Sequence, residues 1–184
     1  MKSLQHQIAD FGKRLSDYEK ITQLSTAKAL NLISDKSKSK LAKSVAAEIS
    51  IKQSLLKKQI FTRRANSSSL IAYVRSYLRP IAAVRLLTPA QLKKAPRGTN
   101  RTGVRVAGKQ FDGAFINKGR RDGKYHVMQR KGRARYPVRK IAIQISSSVK
   151  ANQLPIAERF LRADFERLYL HELNYRAGKY ARRT

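Results

Sequence analysis

Apolar side chains recur every three or four residues over positions 18–49, which is the period of an amphipathic α-helix. Leu24, Ala27 and Leu30 mark the apolar face, and the same period resumes after a polar run at 35–40. The pattern predicts a long N-terminal helical region. Its middle is either exposed or a break between two helices.

Two further helices are predicted from signals at their ends. Ser50 and Gln53 have the spacing of a capping box, in which two side chains satisfy free backbone N–H groups at a helix start. A short basic helix is therefore expected from there to about Phe61. The last helix is expected from Pro155, because proline suits a first helical turn, to a cap at Gly178.

Between these helices the chain alternates apolar and polar residues with the period of two that is typical of β-strands. Strands are predicted over 70–77, 81–87, 104–106 and 141–145. Two more runs, 114–117 and 125–130, flank the turn candidate Asp122-Gly123 and predict a hairpin.

The order of elements indicates an α+β fold, with an antiparallel sheet packed by a long N-terminal helical region and a C-terminal helix. The 184 residues, 41% of them hydrophobic, suffice for one core of ordinary size. We expect a single domain over 1–184, in which 1–61 is mainly helical, 67–148 holds strands and the basic hairpin, and 152–178 is the C-terminal helix.

The net charge of the chain indicates what kind of partner it binds. The chain has 41 Lys and Arg against 11 Asp and Glu, a formal charge of +30. No acid occurs between Glu48 and Asp112, or between Asp122 and Glu158. Such an excess implies a polyanionic partner, most simply nucleic acid. Acidic protein surfaces in a large assembly are the alternative.

The hairpin region 113–140 concentrates this charge, with ten Lys or Arg residues and one acid, Asp122. A basic hairpin can hold phosphates without reading sequence. The interleaved aromatic rings, such as Tyr77 and Tyr125, could stack on bases, although strand aromatics more often serve packing. The candidate phosphate contacts are Arg120, Arg121, Lys124, Arg130, Lys131, Arg133 and Arg135.

Catalytic and membrane classes find little support. The eleven acids are scattered, and His171-Glu172 lacks the second His of a zinc helix motif, because Tyr175 stands there. His126 has no Ser or Cys partner in a recognisable motif. There is no cysteine, no apolar run near the ~20 residues of a membrane span and no signal-peptide centre. We expect a protein that is not an enzyme, holds no metal or cofactor and does not associate with a membrane. We also expect it to be synthesised in a cytoplasm.

The hairpin region also resembles a known family. Gly-Ala-Phe-Ile from Gly113, Tyr-His-Val-Met-Gln-Arg from Tyr125, then Gly132 and Arg-Tyr-Pro at 135–137 resemble the minor tail protein Z family of lambda-like phages and prophages. A weaker resemblance runs through 45–87. Tyr125 stands where a Trp is expected.

This resemblance implies a structural tail completion protein in the virion, at the head-proximal end of the tail, assembled in the host cytoplasm. It would support head–tail joining and position DNA. The implied partners are the tail terminator, tail tube, tape measure and connector, together with copies of the same chain in a hexameric ring. Whether the basic residues face virion DNA or acidic protein stays open. The alternative function is a sequence-independent nucleic-acid-binding module.

Overall fold

The computed structural model describes residues 4–94, 103–119, 123–130, 132 and 137–182. Along the sequence, short strands follow a long first helix and precede a long last helix. In chain order the elements are α1 (Leu4–Glu48), α2 (Gln53–Lys57), β1 (Ile60–Arg63), β2 (Tyr73–Ser76), β3 (Ile81–Ala82), a 3-10 turn (Ala83–Leu86), α3 (Pro89–Lys94), β4 (Val104–Val106), β5 (Lys109–Phe111), β6 (Ala114–Lys118), β7 (Tyr125–Arg130), β8 (Val138–Lys140), β9 (Ala142–Ile143) and α4 (Ser146–Ala181).

The predicted α+β class is confirmed, with a long N-terminal helix, a C-terminal helix and antiparallel strand pairing. The strands are distributed over small sheets. Within the described part of the chain these are β1-β2, β3-β9, β4-β5 and the three-stranded β6-β7-β8.

The chain forms two compact units. The first, here called the long-helix unit, comprises Met1–Leu41, Ile60–Ser76 and Gln153–Thr184. The second, the small-sheet unit, comprises Ala42–Gln59 and Tyr77–Asn152. That residues 1–184 form a single domain stays a prediction.

Helix α1 is continuous through the polar run at 35–40, so the predicted alternative of a break is wrong. Serine explains this continuity, because its small side chain fits a close-packed face. Ser34 and Ser37 are both buried, and the Ser34 hydroxyl donates to the Leu30 carbonyl at 2.9 Å. The buried face repeats every four residues with small or medium side chains, at Ser25, Ala29, Ile33, Ser37 and Leu41.

In the long-helix unit α1 and α4 run antiparallel. Asp17 lies beside Tyr180, and Lys36 lies beside Asp164, so rising numbers on one helix meet falling numbers on the other. The β1-β2 pair joins α1 through Asn31, whose amide bonds the backbone next to β1.

The capping-box prediction at Ser50 is wrong. Ser50 has φ 53°, in the left-handed region, and the residue that precedes α2 is Lys52, which makes no side-chain cap. Helix α2 ends at Lys57, and the chain is already a strand at Ile60, which pairs with Ser76. The short helix therefore stops earlier than predicted.

Helix α4 begins nine residues before the predicted Pro155, which lies inside it. The predicted strand over 141–145 is correspondingly reduced to β9. Tertiary contacts in the small-sheet unit account for the early start, because the Glu48 carboxylate accepts from the Ser148 hydroxyl at 2.7 Å and from the Asn152 amide at 3.0 Å. These bonds stabilise the first turns of α4.

The core of the small-sheet unit lies between the hairpin β6-β7 and the segment that follows β3. Only the first two residues of the predicted strand 81–87 pair as a strand, and Ala83–Leu86 form the 3-10 turn. Ala83 in that turn is buried, and its N–H donates to the Ile141 carbonyl at 3.0 Å. The buried cluster consists of Ala83, Val106, Ala114, Ile116, Val127 and Ile141.

Candidate nucleic-acid interface

Most of the positive charge belongs to the small-sheet unit. Its two segments contain 23 Lys and Arg residues against three acids, a formal charge of +20. The long-helix unit contains 18 against eight, a formal charge of +10. The two units have similar numbers of residues, so the small-sheet unit has about twice the net positive charge per residue. Any polyanion is attracted first to that unit.

The predicted hairpin is confirmed as β6-β7. Its register places Ile116 opposite Val127 and Lys118 opposite Tyr125. Side chains alternate across a strand, so Ala114, Ile116 and Val127 point into the core. Phe115 lies on the opposite face, which the core does not cover. One face of the hairpin anchors it, and the other is available for contacts.

The base of the hairpin tip is closed by backbone hydrogen bonds. The Gly119 N–H donates to the Lys124 carbonyl at 2.8 Å, and the Gly123 N–H donates to the Gly119 carbonyl at 2.9 Å. Gly123 has φ 62°, which glycine adopts without strain. The side chain of Lys124 is exposed at this point. Nearby, the Lys118 ammonium lies 6.0 Å from the centre of the Tyr125 ring.

Two of the seven predicted phosphate contacts are described, namely Lys124 and Arg130. Arg130 is partly buried, and its guanidinium lies 5.3 Å from the centre of the Phe115 ring. It therefore packs on the open face of the hairpin while keeping its charge there. The other five, Arg120, Arg121, Lys131, Arg133 and Arg135, lie outside the described residues.

Sequence reasoning left Arg139 out of the site, and the structure brings it onto the same sheet. The Arg139 guanidinium donates twice to the Gln129 side-chain oxygen, at 2.7 and 3.2 Å. The Gln129 amide nitrogen in turn donates to the Asp112 carbonyl at 2.7 Å. Gln129 is neutral, so it orients the guanidinium without cancelling its charge. The register β7-β8, which pairs Gln129 with Arg139, was not readable from the sequence.

The described residues contain no group of three or more His, Cys, Asp or Glu side chains that could hold a metal ion. His126 lies on β7 opposite Asn117 and is half-buried. None of the helices in the described ranges is long and apolar enough to cross a membrane.

The family model described as prophage minor tail protein Z (GPZ) matches residues 1–178, so the chain belongs to that family. It is thus a minor tail protein of a phage or prophage, and the resemblance seen in the hairpin region is confirmed.

A curated relative is similar over a shorter stretch. The tail completion protein of Escherichia phage N15 is 25% identical over 126 residues, which cover 66% of this chain and 67% of that protein. No solved structure gives a significant match.

Proposed function

We propose that this minor tail protein is a non-enzymatic tail completion protein in the virion. It acts at the head-proximal end of the tail, where it supports head–tail joining and positions the DNA end. The observation that carries the proposal is the formal charge of +20 on the small-sheet unit, concentrated around a hairpin with one anchored face. The name of the N15 relative supports the tail-completion role.

The contact with DNA is electrostatic. Lys124, Arg130 and Arg139 lie on β6-β7-β8 or at its hairpin tip, and the described residues show no carboxylate in an ion pair with Arg139. Flexible or stacked cations of this kind neutralise phosphates in any sequence, because phosphate contacts carry no base information. The protein would therefore accept whatever sequence ends the packaged DNA.

The test reverses the charge of Arg120, Arg121 and Lys124 together to Glu. Surface substitutions usually change stability by about 0.5 kcal/mol each, so the variant should fold. Each lost phosphate contact lowers the dependence of log K on log salt by about 0.9 for duplex DNA, so the slope should fall by up to about 2.7. In phage carrying the variant, tails should still form and join heads while infectivity falls.

A matched control reverses three exposed cations of the long-helix unit, Lys28, Lys40 and Arg63, with the same change in net charge. For this control, the slope of log K against log salt should stay within about 0.9 of the slope for the unmodified protein. If the hairpin variant fails to enter tails at all, the tip contacts an acidic neighbouring protein and the DNA-positioning role is wrong.

The quaternary part of the proposal is a closed ring of six copies, in contact with the tail terminator, tail tube, tape measure and connector. Closed cyclic rings use heterologous interfaces, and a ring matches the rotational symmetry of a tail tube. An averaged cryo-EM map of the virion neck tests it. A single copy, or copies spread along the tail, would contradict the ring.

The second candidate is a nucleic-acid-binding module that acts as a lone subunit, which the charge of the small-sheet unit also favours. The two differ in what the purified protein binds. The module needs only nucleic acid, whereas the tail completion protein also binds other tail proteins and is present in purified virions.

A further inference from the structure

A basic groove lies on the small-sheet unit where the residues that follow α2 face the segment around β3. Its volume is about 610 Å³, and it is open to solvent. This volume falls in the range of small-ligand sites. The lining residues include Lys58, Gln59, Tyr77, Arg79, Pro80 and Arg85.

The charge of the groove has one sign. Its charged lining residues are Lys58, Arg79 and Arg85, and no described acid lies within ion-pair distance of any of the three. A concave surface lined by three cations focuses the field and raises the local concentration of anions. The groove therefore suits an anionic ligand.

An aromatic ring is presented in the same groove. The Tyr77 side chain is 58% exposed, and the Arg79 guanidinium lies 6.0 Å from the centre of its ring. The backbone beneath it is held firmly, because the Tyr77 N–H donates to the Gln59 carbonyl at 2.8 Å. In the orientation that satisfies its hydrogen bonds, the Gln59 amide nitrogen donates to the Tyr77 carbonyl at 2.7 Å and to the Arg79 carbonyl at 3.1 Å.

We propose that this groove binds a segment of single-stranded nucleic acid, with phosphates at Lys58, Arg79 and Arg85 and one base against Tyr77. Phosphates explain the three cations, and a base explains an exposed aromatic ring beside them, which an acidic peptide does not require. A duplex keeps its bases stacked inside the double helix and would leave Tyr77 unused. Stacking on Tyr77 depends little on base identity, because every base has a π-face. This goes beyond the proposed function, which places duplex phosphates on the hairpin.

The experiment measures base stacking directly. An oligothymidylate of about ten nucleotides, within the usual site size for single-strand binders, contains one 2-aminopurine whose fluorescence is quenched when it stacks. The protein used is the full chain with Arg120, Arg121 and Lys124 changed to Glu, so that the hairpin does not dominate binding. In this background Tyr77→Ala should abolish the quenching and lower affinity about tenfold, whereas Tyr77→Phe keeps both.

The matched control is Tyr73→Ala, since Tyr73 is another exposed tyrosine with an arginine near its ring, at 5.9 Å, but belongs to the long-helix unit. This control should bind as its parent does. A second variant, Arg79→Gln with Arg85→Gln, should flatten the salt dependence by about 1.4, because single strands give about 0.7 per phosphate. Circular dichroism confirms that each variant is folded.

The proposal is overturned if Tyr77→Ala and Tyr73→Ala behave alike, or if the Arg79 and Arg85 variant keeps the full salt slope. It is also overturned if a polyglutamate peptide displaces the oligonucleotide at equal charge concentration, because the groove then serves an acidic protein segment. Failure here leaves duplex binding by the hairpin intact, and loss of duplex binding alone leaves the groove intact, so the two proposals fail separately.

Discussion

Lys36 on α1 places its ammonium nitrogen 2.6 Å from a carboxylate oxygen of Asp164 on α4, across 128 residues of sequence. Arg167, one turn further along α4, donates to the other carboxylate oxygen of Asp164 at 3.0 Å. Within the long-helix unit this is an ion pair between the two long helices. It joins the middle of α1 to the turn of α4 that contains Asp164.

The first prediction concerns acid stability. Hydrogen bonds from Lys36 and then Arg167 hold the pKa of Asp164 below its ordinary value of 3.8. A lowered folded pKa means that the stabilisation is full above 3.8 and is lost as pH falls through the lower folded value. Asp164→Asn should therefore be less stable than the unmodified protein near neutral pH. The difference should narrow in strong acid, as followed by urea denaturation.

The matched control for that series is Glu166→Gln, which removes one carboxylate charge from an exposed position of the same helix. It should follow the unmodified protein closely across the pH range. A stability difference for Asp164→Asn that stays constant into strong acid would show that the carboxylate charge is not what stabilises the helix pair.

The second prediction concerns alkaline stability. The Tyr180 hydroxyl donates to the Asp17 carboxylate at 2.9 Å, and this bond is the largest cause that raises the pKa of Tyr180 above 10.0. Because the folded state favours the protonated phenol, the stabilisation is full below pH 10.0 and is lost as pH rises through the raised value. Tyr180→Phe should remove this alkaline loss while keeping the ring contact with Tyr18, whose centre lies 6.2 Å away.

Thermal unfolding from neutral pH to above pH 10 measures this effect. Tyr175→Phe is the control, since Tyr175 is an exposed tyrosine on the same helix. If the unmodified protein and Tyr180→Phe lose stability in parallel above pH 10, the Asp17 bond has no energetic role.

The third prediction tests the tie between α1 and the β1-β2 pair. The Asn31 amide donates to the Ala65 carbonyl at 2.9 Å and accepts from the Ala65 N–H at 2.8 Å, which satisfies both backbone groups of a buried residue. Asn31→Ala leaves them unpaired and should cost about 1–3 kcal/mol in the free energy of unfolding. Asn174→Ala, at an exposed position of α4, makes the same change in helix propensity and should cost nothing. Equal values for the two variants would contradict the assignment.

The fourth prediction separates two costs at glycines. Gly113 has φ 68° with open space around it, so Gly113→Ala should cost about 1–2 kcal/mol for the left-handed conformation alone. Gly103 has φ 72°, and a β-carbon there would meet the Phe111 carbonyl oxygen and lie 2.9 Å from the Asp112 α-carbon. Gly103→Ala should therefore be the more destabilising, as measured by urea denaturation. If Gly113→Ala were the more destabilising of the two, the backbone near Phe111 would have to shift at little cost to make room for the β-carbon.

Local chemistry by itself determined the hairpin. The alternation over 114–117 and 125–130 and the Asp-Gly dipeptide predict β6 and β7 because strand pairing and turn conformation depend on adjacent residues. In the neighbouring β4-β5 pair, the sequence predicted β4 but not β5. Its turn is Ala107-Gly108, with φ 51° and 74°, and alanine is a weak signal for a left-handed turn.

The helix ends and the sites were decided by tertiary structure. Ser37 lies in a polar run and Ser148 in a serine cluster, yet both are buried in helices, because a small hydroxyl fits a close-packed face that only the partner segment creates. The Gln129–Arg139 bond depends on strand register, and the groove at Tyr77 depends on the backbone hydrogen bond from the Tyr77 N–H to the Gln59 carbonyl. The sequence by itself determined the α+β class, the family and the excess of positive charge. Which cations share a sheet or a groove was decided only when non-adjacent segments packed together.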